Sequence, residues 1–109
     1  MAYTNLHRGA RISPTKVRPV ADMIRGKRYE DAITILDFSK RRAAVFLKNA
    51  LVSAYHNADQ AEADVRRLIV SEVRVDQGTT MKRWQPKDRG RAHPIMKRTS
   101  HITVSVDVA

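Results

Sequence analysis

The stretch GTTMKRWQPKDRGRAHPIMKRTSH, residues 78–101, decides how the rest of the chain is read. It holds Lys82, Arg83, Lys87, Arg89, Arg91, Lys97 and Arg98 against a single acid, Asp88, a formal +6. Its apolar side chains, Met81, Trp84, Ala92, Ile95 and Met96, are too scattered to build a core, and its charge is too large to stand without a counter-ion. Alternating strand patterns flank it, Leu68 to Asp76 before and Ile102 to Val108 after. In its middle Asp88-Arg89-Gly90 reads as a turn, because Asp bonds its own backbone and Gly accepts positive φ. The pattern predicts a two-stranded arm leaving the body, with about 12 residues per side and a reach on the order of 40 Å. A lone hairpin of that length is marginal in water, so it needs a partner, and the charge makes that partner anionic. A disordered basic tail is the competing reading. Strands anchoring both ends, and the stiffness of Pro86 and Pro94, argue against it.

The chain of 109 residues has room for one core and therefore one domain, with a body of 1–77 and 102–109 and the arm at 78–101. The formal net charge is +10, the footprint of a nucleic-acid binder or, less often, of a protein on an acidic membrane. Residues 1–28 carry seven bases and one acid, 29–77 seven and eight, and 78–109 seven and two, so a neutral middle separates two basic ends. The absence of cysteine excludes disulfides and thiolate metal sites and fits a cytosolic protein. No apolar run approaches the roughly 18 residues of a membrane span, and no signal-peptide core opens the chain.

Met1 to Ile12 has little periodicity and is expected as an extended lead-in or a short edge strand. Ser13-Pro14 then marks a helix start, a hydroxyl N-cap followed by proline. Val17, Val20, Ala21 and Ile24 follow at helical spacing, and Gly26 ends the helix. Pro19 inside it is expected to kink the helix or push its start later. Tyr29, Ala32, Ile33 and Leu36 make a second short stripe, with Glu30 and Asp31 at the positive end of the dipole. Ser39 is expected to cap the longest helix, from about Lys40 to Asn57. Ala43, Leu47, Ala50, Leu51, Ala54 and Ala58 form its core face, widened by Val45, Phe46 and Val52. Asp59 to Arg67 reads as a loop. In the last strand Thr103, Ser105 and Asp107 are assigned to the wet side, and Met23 to the core. The expected fold is α+β, three helices packed on a small antiparallel sheet with a long extended β-hairpin arm.

Nothing in the chain reads as an active site. His7, His56, His93 and His101 are never at ligand spacing on one helix, and phosphate-binding glycine motifs and magnesium-holding carboxylate clusters are missing. No enzyme, cofactor or metal is expected. Lys40-Arg41-Arg42 is either a solvated basic turn or a phosphate contact, since cations at a helix start oppose the dipole. Trp84 is either a brace against the opposite strand or a surface for base stacking. Arginine is favoured where phosphate is gripped by two donors, and Arg83, Arg89 and Arg91 lie near the tip. Two further readings are a helix-turn-helix DNA module and a small RNA-processing enzyme. The first lacks a base-reading helix face; the second lacks acid, base or metal residues.

Gly90-Arg91-Ala92, Ile95 and the run Lys97-Arg98-Thr99-Ser100-His101-Ile102-Thr103-Val104 resemble the signature of the bacterial large-subunit ribosomal protein twenty-two family. Met81-Lys82-Arg83 and Pro86 match the ascending side of that family's arm. Ala10-Arg11, Ser13, Lys16-Val17-Arg18, Val20-Ala21-Asp22 and Ile24-Arg25-Gly26-Lys27 match its first helix. Asn57-Ala58, Val75-Asp76 and Gly78 also fit, so the resemblance covers essentially the whole chain. Pro19, Asp88 and Pro94 depart from the pattern. The resemblance implies a structural, cytoplasmic ribosomal protein that binds large-subunit (23S-type) rRNA during assembly, beside neighbouring large-subunit proteins and with no membrane or homo-oligomer. It implies a body near the exit of the nascent-peptide tunnel and an arm running inward, so that the nascent polypeptide is met transiently. The residues expected on rRNA are Arg8, Arg11, Lys16, Arg18, Arg25, Lys27 and Arg28 at the first end. Lys82, Arg83, Trp84, Lys87, Arg89, Arg91, Lys97, Arg98 and His101 join them from the second. Arg83, Lys87, Asp88, Arg89, Gly90 and Arg91 are expected at the tunnel-lining tip.

Overall fold

Two periodicities alternate along the chain, and the computed structural model, which describes residues 2–87 and 90–109, follows them. Strand β1 (Tyr3–Ala10) leads into helices α1 (Pro14–Ile24), α2 (Tyr29–Phe38) and α3 (Ala43–Gln60). After a single 3-10 turn at Val65–Arg67 come β2 (Leu68–Gln77), β3 (Met81–Lys87), β4 (Arg91–Lys97) and β5 (Ser100–Val108). The body sheet is antiparallel in the order β1-β5-β2, while β3 and β4 pair only with each other as a separate two-stranded sheet. The α+β arrangement expected from the sequence is therefore the one observed.

The helices bury one apolar stripe each against that sheet. Val17, Val20, Ala21 and Ile24 of α1, Ala32 and Leu36 of α2, and Leu47, Ala50, Leu51, Ala54 and Ala58 of α3 are all buried. They meet Leu68, Val70, Val73 and Val75 of β2 and Ile102, Val104 and Val106 of β5. Ala43, Ala50, Ala54 and Ala58 alternate with Leu47 and Leu51 along the packed face of α3, and the small residues reduce the side-chain bulk between the helix and the sheet. The buried set of β2 breaks strict alternation, with Val70 followed by Val73. The register with β5 shifts between Val70 and Glu72, a bulge whose extra residue returns both halves of the strand to the core face.

Several sequence expectations are corrected. Thr103 and Ser105 lie on the sheet face turned away from the helices, yet they are not wet; they are 8% and 4% exposed. β5 is the central strand, so the longer side chains opposite, Leu6 and Arg74 beside Thr103 and Glu72 beside Ser105, overhang its small polar ones. Ser105 Oγ bonds Thr4 Oγ1 at 2.8 Å. α3 begins at Ala43 rather than Lys40, because Ser39 closes α2 and its hydroxyl accepts the Arg41 amide instead of capping α3. α3 also runs on to Gln60, past the expected end. Val45 (59% exposed) lies off the core stripe, and Met23 (46%) is not core. α1 starts at Pro14 and runs unbroken through Pro19. Pro19 and Thr15 both lie on the exposed side of that helix, where water can satisfy the carbonyl that proline leaves unbonded. Ser13 is the N-cap residue, yet its hydroxyl bonds Thr15 Oγ1 rather than a backbone amide.

The arm makes the molecule long. The radius of gyration is 16.8 Å and the extents are 63 × 24 × 16 Å, against about 13 Å for a compact chain of this length. At its root the Gly78 amide donates to the Thr99 carbonyl (2.9 Å) and Thr99 Oγ1 donates to the Thr79 carbonyl (2.7 Å). Ser100 Oγ, fully buried, donates to the Ile12 carbonyl at 2.6 Å. The two sheets are thereby joined through a fixed neck. Of the expected turn, Asp88 and Arg89 lie outside the described residues, and Gly90 has φ +72°, a conformation glycine adopts without strain.

Candidate nucleic-acid interface

In an antiparallel pair, residues directly opposite share a face. The β3–β4 register sets Trp84 opposite Pro94, Lys82 opposite Met96 and Pro86 opposite Ala92 on one side of the arm. The other side has Arg83 opposite Ile95, Gln85 opposite His93 and Met81 opposite Lys97. One face is thus largely apolar and the other polar and basic. Trp84 stands across from Pro94 yet remains 66% exposed. A cross-strand neighbour and an open ring surface are both present.

Of the other residues expected on rRNA, Arg8, Arg11, Lys16, Lys27, Arg28, Lys82, Lys97 and Arg98 all have exposed side chains. Arg11 follows β1, Lys16 is in the first turn of α1, and Arg98 follows β4. Arg28 sits just before α2, where its backbone bridges to Ile69. Lys87 and Arg91 close the described ends of β3 and β4, and Arg89 lies outside the described residues. Three residues of the expected set also serve the body. Arg18 Nη2 donates to the Val75 carbonyl at 3.4 Å and Arg25 Nη2 to the Val73 carbonyl at 2.7 Å, both on edge strand β2. Arg25 is paired with Asp22 as well. His101 belongs to β5, and its Nδ1 accepts the Gly9 amide at 3.1 Å. Edge strands need their free carbonyls occupied, so Arg18 and Arg25 cover β2 as a neighbouring strand would.

The cations divide by whether the chain itself neutralises them. Among the described residues the ion pairs are Arg25–Asp22, Lys48–Asp37 and Arg74 with Glu72 and Asp76. Arg11, Lys16 and Arg18 at the start of α1, and Lys82, Arg83, Lys97 and Arg98 of the arm, have no acidic partner among the described residues. The sequence leaves two readings open for Arg42, and the fold fixes where it lies. Its guanidinium is 5.5 Å over the Phe46 ring, which in turn meets His7 edge-on at 5.8 Å. It faces Arg11, Lys16, Lys97 and Arg98 across an open cleft at the arm's root. Only its place in the Lys40-Arg41-Arg42 run could have signalled this. Among the described residues no group of three or more His, Asp or Glu side chains could hold a metal ion. None of their helices is long and apolar enough to cross a membrane.

Comparison with known proteins agrees with the resemblance seen in the sequence. A family model described as ribosomal protein L22p/L17e matches residues 6–107. The large ribosomal subunit protein uL22 of Magnetococcus marinus is 53% identical to this chain over 97 residues, covering 88% of this chain and 86% of that protein.

Proposed function

The chain belongs to the ribosomal protein L22p/L17e family of structural, non-enzymatic proteins, and on that premise we propose that it binds large-subunit rRNA as the subunit assembles. Its body sits near the exit of the nascent-peptide tunnel, and the arm runs inward so that its tip forms part of the tunnel wall. Neighbouring large-subunit proteins and, transiently, the nascent polypeptide are its other partners.

The observation that carries the rRNA reading is the set of cations along the arm and at its root that have no acidic partner among the described residues. A 63 Å molecule with an exposed two-stranded projection gains order from a polyanion that neutralises both sides of the neck at once. Phosphate contacts dominate the affinity, because the arm offers few side chains suited to reading base edges.

The salt dependence of binding to large-subunit rRNA tests this reading, with duplex DNA of equal length as the comparison. If about six phosphates are neutralised, log K falls against log salt with a slope of roughly −4 to −5. A slope shallower than about −2, or equal affinity for the DNA, overturns it.

A further inference from the structure

The cleft at the arm's root has a volume of about 450 Å³ and lies between the start of α1, the start of α3 and the end of β4. Arg11, Lys16, Arg42, Lys97 and Arg98 line it, and no acid does. A second cleft of about 420 Å³ continues past Arg98 to Arg18 and Gln77. Like charges gathered round one concavity repel each other, and low-dielectric walls strengthen that repulsion. None of the five is in an ion pair among the described residues.

Two helix starts border the same space, and neither has an acidic residue in its first turn or a side-chain cap on its backbone amides. They add partial positive charge to that of the side chains. Arg42 is also pre-positioned. Stacked on Phe46, its guanidinium has less freedom to lose while its fork of donors stays available.

We propose that this cleft seats one phosphodiester group of RNA, held from the body by Arg42 and from the arm's root by Arg98 and Lys97. The proposal rests on the rRNA-binding reading and gives it a particular place. It also gives the site a mechanical role. Arg42 belongs to the body and Arg98 to the segment joining β4 to β5, so a phosphate gripped by both fixes the arm's angle to the body. The guanidinium forks match a phosphate's oxygens, and the cleft opens to solvent.

A double-mutant cycle on the full chain, read by affinity for large-subunit rRNA over a salt series, tests it. The variants are Arg42→Gln, Arg98→Gln and their combination, with Arg83→Gln, out on the arm, as the distant partner. Arg42 and Arg98 are both exposed, so melting temperatures are expected to hold. Should Arg98→Gln unfold the chain, Lys97→Gln takes its place in the cycle. Each single change is expected to lower affinity about tenfold and flatten the salt slope by about one. Because Arg42 and Arg98 hold the same phosphate, the double variant should lose clearly less than the product of the two single losses. Arg42→Gln with Arg83→Gln should lose the full product. Independent losses at Arg42 and Arg98, or unchanged affinity in Arg42→Gln, overturn the proposal while rRNA binding itself stands. A wild-type chain that does not bind rRNA overturns both.

Discussion

Gly78 and Thr99 face each other across the neck of the arm so closely that a methyl group on Gly78 would collide with Thr99 Oγ1. That hydroxyl cannot easily move away. It donates to the Thr79 carbonyl at 2.7 Å, and Thr99 is only 6% exposed. The glycine is required by space, because the point where two strands leave the body leaves no room for a side chain.

Gly78→Ala is therefore expected to destabilise the chain by about 1–3 kcal/mol, measured by denaturant unfolding. In a Thr99→Ala background, with the obstructing oxygen gone, the same change should cost distinctly less. An equal cost in both backgrounds would place the strain elsewhere.

Leu47 and Leu51 are both fully buried on the sheet-facing side of α3. Leu→Ala at either position should cost about 2–5 kcal/mol, a large part of the roughly 5–15 kcal/mol that holds a domain together. A sharply lower melting temperature is expected for each variant. Val45→Ala, on the exposed side of the same helix, should change it little.

Tyr29 and Tyr55 stack with ring centroids 4.6 Å apart. Burial, and secondarily the charge Tyr55 would carry, push the Tyr29 hydroxyl above its ordinary value of 10.0. A raised folded-state value means the folded chain holds this proton more tightly than the unfolded one. The stabilisation is complete below pH of about 10 and is lost as pH rises through the folded value. Wild type is thus expected to lose more stability than Tyr29→Phe on going from pH 9 to pH 11. Parallel losses in thermal melts would count against the burial of that hydroxyl.

How much of this was legible in the sequence follows from which signals are local. The stripes of α1 and α3 and the charge of the arm repeat at short spacing, so they could be read directly. The position of β5 could not. Thr103 and Ser105 alternate as wet-side residues do, and only the strand order β1-β5-β2, set by pairing between segments far apart in sequence, buries them. The bulge after Val70 was hidden because both halves of β2 still look alternating. The start of α3 was misplaced because Lys40, Arg41 and Arg42 are acceptable helix formers whose propensity says nothing about Ser39 closing α2. Arg11, Arg42 and Arg98 lie in three separate segments, and only the fold brings them to one cleft.

The register of the arm defines a clean way to separate it from the body. Removing residues 83–95 and joining Lys82 to Met96 through Asn-Gly preserves the Lys82–Met96 pair, with a two-residue turn suited to hairpins. β3 and β4 form their own sheet, so the body keeps its helices and its three strands. Helical circular dichroism should be unchanged. The described residues among those removed make no part of the core cluster, so the loss should stay near 0.5 kcal/mol or less and the melting temperature should move by under about 4 °C. Binding to rRNA should weaken, its salt slope flattening by about one for each phosphate the shortened arm no longer reaches, and yet persist through the cleft cations that remain. Collapse of the fold would mean that the arm supports the body. Complete loss of rRNA binding with the fold intact would place the whole recognition surface beyond Lys82 and leave the cleft at the root without a ligand.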